Sequence, residues 1–144
     1  MGQTTPYDSS KGKGARIIGG EANASGPGPE IMAASTLTGD DVVNMAGEDL
    51  GEIESIMLDV QRGRIAYAVL ASGGFLGIGE KLFAIPWAAF TLDADRKCFV
   101  LDISADRLKN APGFDKDHWP SMADPSWAQG VHAYYDVPIY WNEL

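Results

Sequence analysis

Gly73-Gly74-Phe75-Leu76-Gly77-Ile78-Gly79-Glu80-Lys81 is the stretch whose spacing comes nearest to a known chemistry. Closely spaced glycines let backbone amides close around a phosphate. The full pattern, GxxxxGK[ST], also supplies a lysine and a metal-binding hydroxyl. Counted from Gly74 the spacing reaches Gly79, but Glu80 then stands where the lysine is required. Gly77-Ile78-Gly79 lacks the third glycine of a dinucleotide fingerprint. The residues that follow alternate as a strand, so no helix N-terminus is offered to an anion. The loop is read as structural, and no cofactor is expected. Its large apolar residues, Phe75, Leu76 and Ile78, either fold under the sheet or stand exposed as a protein contact.

Three other groupings could do chemistry. His118 lies near Asp115, Asp117 and Asp124, with His132 further on. These ligand types suit zinc or manganese. The spacing matches no ligand motif, so a solvated connection before Trp119-Pro120 is expected, and no metal. Glu52 with Glu54, and Asp93 with Asp95, are carboxylates two residues apart. On a strand such a pair shares one face at about 7 Å. Glycosidase acids sit at comparable separations but in a cleft, whereas these fall on a strand face and in a turn. Cys98 lies in an apolar run with no nearby histidine, as a packed thiol rather than a nucleophile. GxSxG, HExxH and CxxC are all missing from the sequence. No catalytic residue is assigned, and the chain is read as a non-enzyme.

Composition narrows the partners. The chain has 144 residues, 45% hydrophobic and 22% charged, which suits one domain with a modest core. The formal net charge is −9. Before Ser35 the charges cancel, Lys11, Lys13 and Arg16 against Asp8, Glu21 and Glu30, so the excess lies in residues 35–144. Such a surface repels phosphate backbones and anionic lipid, so direct nucleic-acid binding is not expected. A single cysteine forbids an internal disulfide. No apolar run approaches the roughly 18 residues of a membrane span. The expected location is the cytoplasm, without membrane insertion.

The elements that would position these groups follow in order. Residues 1–34 mix Gly, Pro, Ser, Ala and Lys without period, and Gly26-Pro27-Gly28-Pro29 holds neither helix nor central strand. They are predicted to be a disordered leader, with Ile17-Ile18 as the one apolar pair able to dock. Residues 35–103 contain six strands. Val42-Val43 starts the first. The second runs from about Leu50 to Val60, with Glu52 and Glu54 on the same parity as Ile56, Leu58 and Val60. One face cannot be both charged and core, so a bulge is predicted near Glu54-Ser55. After the turn at Gly63, Arg64–Ser72 carries Ile65, Tyr67 and Val69 on one face and Ala66, Ala68 and Leu70 on the other. A strand apolar on both faces must be covered on both, by its own tail or by a second subunit. Lys81–Trp87, Phe90–Leu92 and Lys97–Ile103 complete the set. Residues 104–144 begin with Ser104 as a helix cap. A second helix is predicted from Pro125 to Tyr134 or Tyr135, behind Asp124. Tyr140 and Trp141 end a segment too aromatic for solvent. Short strands at close intervals predict a small barrel or sandwich.

The order of motifs resembles the PRC-barrel family. It is carried by Asp49-Leu50-Gly51-Glu52-Ile53, Met57-Leu58-Asp59, Ile65-Ala66-Tyr67-Ala68-Val69, the glycine loop with Glu80-Lys81, and Ile85-Pro86-Trp87. The resemblance covers roughly residues 37–103 and continues into Leu108–Pro112 and Trp119-Pro120, as in stand-alone bacterial members. It implies a mainly β fold, a six-stranded PRC-type barrel with a short helical C-terminal extension. The same module is found in the H subunit of photosynthetic reaction centres and in a ribosome-maturation factor, and no shared catalytic set goes with it. The expectation is an assembly module that self-associates as a homo-oligomer and binds a protein partner still unknown. Its expected contact residues are Phe75, Leu76, Ile78, Ala66, Ala68, Leu70, Tyr140 and Trp141. A small-ligand or metal-binding sensor and an RNA-processing accessory factor are the alternatives.

Overall fold

The computed structural model describes residues 14–20, 28, 30–73 and 80–142. Seven strands form one mixed sheet: β1 (Arg16–Ile18), β2 (Asp41–Val43), β3 (Asp49–Asp59), β4 (Arg64–Ser72), β5 (Lys81–Pro86), β6 (Phe90–Asp93) and β7 (Cys98–Leu101). Their spatial order is β1-β6-β7-β2-β3-β4-β5. β1 runs parallel to β6 and β2 parallel to β7; the other neighbours are antiparallel.

Two expectations are corrected here. The strand count is seven, not six, because Ile17-Ile18 docks as β1, with Ile17 opposite Leu92. The apolar pair gives the free edge of β6 a partner, so this part of residues 1–34 is strand. The sheet is also not closed. β1 and β5 are its edges, and among the described residues no ladder joins them.

The sheet wraps one main core. Val42, Leu50, Ile53, Leu70, Phe83, Ile85, Phe90 and Phe99 pack together from six strands. Phe90 and Phe99 meet edge to face at 5.5 Å, a favourable arrangement of ring quadrupoles. The 11-residue β3 serves both halves of the sheet, pairing β2 at its start and β4 along the rest. The shift of register between Ile53 and Ser55 is the bulge the charge pattern demanded. A second shift, between Met57 and Leu58, was not foreseen.

The C-terminal part covers the outer face of β4 and β5. A short helix, α1 (Ala34–Leu37), precedes β2, and Ser104 caps α2 (Ala105–Lys109), its hydroxyl accepting from the Arg107 amide at 3.0 Å. Leu82 and Phe114 exchange both backbone hydrogen bonds at 2.8 Å, tying the following segment to β5. Asp124 caps α3 (Pro125–Tyr135), with proline at the start of the helix. Val131 of α3 and Tyr140 then pack on Ala66, Tyr67 and Ala84. Phe114 and Met122 cover Val69, Ala71 and Leu82. The doubly apolar β4 is therefore covered within one chain.

Candidate functional site

The groupings that suggested chemistry have structural roles where they are described. Asp93 is buried, contrary to the solvated turn expected. Its carboxylate accepts from the Arg96 amide at 3.1 Å and closes the β6–β7 turn. Asp95 accepts from the Gly20 amide at 2.9 Å, which ties down the end of β1. Glu52 and Glu54 are exposed on β3. His118 and Asp115 hydrogen-bond at 2.7 Å in an exposed connection, and this bond holds the Asp115 carboxyl below its usual range. His132 lies elsewhere, buried on α3, its ring packed edge to face on Tyr67. Among the described residues no three His, Cys, Asp or Glu side chains converge as a metal site. Cys98 is buried, and burial pushes its thiol up.

The expected contact residues separate. Phe75, Leu76 and Ile78 lie outside the described residues. Ala68 and Leu70 belong to the main core, and Ala66 lies beneath the C-terminal part. None of these three is on the surface: Ala68 and Leu70 face the main core, and the chain's own tail covers Ala66. Tyr140 is buried and Trp141 half-buried, both on the outer face of β4.

What the structure assembles instead is a surface at the β3–β4 hairpin. The second register shift in β3 and the nearby strand end carry Leu58 and Val60 past the core. They are 63% and 88% exposed. Their parity with Ile56 pointed inward, so sequence reading placed them in the core; the second irregularity of β3 leaves no signal in residue type. Beside them lies a groove of about 460 Å³ between the hairpin and the C-terminal part. Met57, Leu58, Val60, Tyr67, Met122 and Trp141 are among its walls. The volume falls within the range of small ligand pockets and side-chain anchor sites.

One polar cluster fixes this groove. The Tyr140 hydroxyl donates to the Asp59 carboxylate. Arg62 reaches the same carboxylate at 3.0 Å, and its backbone amide donates to the other oxygen at 3.0 Å. The Arg62 guanidinium also lies 5.3 Å from the centre of the Trp141 ring, and Arg64 lies 4.1 Å from that of Tyr140. The bond from Tyr140, with those from Arg62, holds the Asp59 carboxyl below its ordinary value. Tyr67, 2% exposed, packs against Trp127 at 5.3 Å. Burial, with the Asp59 charge adding to it, raises its hydroxyl to about 12. The cluster therefore binds hairpin to tail, and nothing in it is poised for proton transfer near neutral pH. The arrangement suits contact: a fixed apolar groove, an aromatic wall and two exposed aliphatic residues.

A family model described as PRC-barrel domain matches residues 29–108. None of the curated proteins matches the chain. Fifteen chains of solved structures match. One is a 16S ribosomal RNA processing protein, RimM, of Pseudomonas aeruginosa, at 18% identity and a TM-score of 0.37. That match covers 52% of this chain and 45% of the other, less than half its length. No helix among the described residues is long and apolar enough to cross a membrane.

Proposed function

The chain belongs to the PRC-barrel domain family, and we propose that it works as a non-enzymatic, cytoplasmic assembly module that self-associates and binds protein through the β3–β4 hairpin surface. The carrying observation is the exposure of Leu58 and Val60 beside the Trp141 groove. Exposed aliphatic residues at a formed apolar groove are what a protein contact buries. A ribosome-maturation role would run through a protein contact as well, because a net charge of −9 repels RNA.

Light scattering of the purified chain across micromolar concentrations tests self-association. The expected result is a mass above that of one chain that rises with concentration. A strict monomer throughout overturns it.

A further inference from the structure

We infer that the occupant of the Trp141 groove is a second copy of this chain, with each hairpin tip seated in the other protomer's groove about a two-fold axis. This rests on the self-association proposed above and names its surface.

The groove and the residues that would fill it are contiguous. Leu58 and Val60 line the groove and also stand out from it. A projecting group beside its own receiving groove gives a self-complementary patch that closes at two copies. One remote from its groove builds open chains instead.

Charge favours the same occupant. The chain carries −9, so two copies meeting through acidic faces repel. At the hairpin Asp59 is engaged by Arg62 and Tyr140, and Arg64 lies over the Tyr140 ring. The charged residues that line the groove, Asp59 and Arg62, pair with each other, so the groove does not share the negative excess of the chain. Its Trp, Met and Arg side chains are the types enriched where protein interfaces are driest.

The test compares the full chain with Val60→Glu and Met45→Glu by sedimentation equilibrium, with circular dichroism spectra as the folding control. Met45 is also exposed, at 74%, and lies outside the groove. Both variants add the same charge, so only position differs. A dimeric wild type is expected. Val60→Glu should weaken the dimer by about 30-fold or more, with an unchanged circular dichroism spectrum, and Met45→Glu should leave it intact. Equal weakening by both variants, or an unweakened Val60→Glu dimer, overturns the groove assignment while self-association stands. A wild type that stays monomeric overturns both.

Discussion

The Tyr140 hydroxyl donates to the Asp59 carboxylate across 81 positions of sequence. This bond is the polar tie between the turn of the β3–β4 hairpin and the last described turn of the chain. Arg62 adds a second contact to the same carboxylate. The groove beside Trp141 therefore has its width set by groups that the sequence places far apart.

Removing that tie has a defined cost. Tyr140→Phe keeps the ring under Arg64 and deletes the hydrogen bond. A bond to a carboxylate that water partly reaches contributes about 1 kcal/mol, which is about 4 °C in a domain of this size. The loss should depend on pH. The bond holds Asp59 below 3.8 when folded, so its contribution is complete above 3.8 and fades as pH falls through the lower folded value. Melting curves of wild type and variant should stay apart at pH 7 and converge in strong acid. A gap that does not narrow as the pH falls below 3.8 would point to packing instead.

His132, packed against Tyr67 and Trp141, carries a pH response of its own. It is 3% exposed, and Nδ1 lies 2.7 Å from the Ala128 carbonyl, which can only accept. The proton is therefore on Nδ1. Burial holds the ring below its ordinary 6.5, with the bond to Ala128 pulling weakly the other way. A depressed histidine binds its proton more tightly in the unfolded chain. Stability is complete above 6.5 and declines as pH falls toward the folded value. Between pH 7.5 and 5.5 the melting temperature of the wild type should drop, and His132→Leu should flatten that slope. Equal slopes would overturn the assignment of the response to His132.

The strands and both C-terminal helices were legible because each follows from local chemistry. Alternation marked β5, an apolar run after the Gly63 turn marked β4, Asp124-Pro125 opened α3, and Ser104 opened α2. The bulge at Ser55 was legible because Glu54 and Ile56 cannot share a face. β1 was not, because three residues in a glycine-rich context carry too little pattern; only the free edge of β6 gives Ile17 its place. The contact surface was not legible either. Ala66, Ala68 and Leu70 read as an interface because one sequence cannot show that the sheet wraps its core over Ala68 and Leu70, or that Tyr140 returns to cover Ala66. Leu58 and Val60 read as core because the shift after Met57 depends on pairing with Ile65 and Tyr67, not on residue type.

Gly51 is where β3 passes from β2 to β4, and the handover requires glycine. Its φ is +136°, and a Cβ there would stand 2.3 Å from the Ala71 carbonyl oxygen. Neither atom can yield without breaking the β3–β4 ladder, since Glu52 pairs with Ala71 at that point. Gly51→Ala combines a disallowed backbone with a backbone clash and should cost roughly 3 kcal/mol or more. Gly63 separates the two effects. Its φ is +69°, and nothing lies within 4 Å of a Cβ built there. Gly63→Ala then carries only the left-handed penalty of about 1 kcal/mol. Chemical denaturation should rank wild type above Gly63→Ala, and both well above Gly51→Ala. Equal costs would mean that φ alone matters at Gly51, and that the approach of the Ala71 carbonyl relaxes freely. In the expected order, the tight crossing at Gly51 sets the path of β3 toward the hairpin that carries Leu58 and Val60.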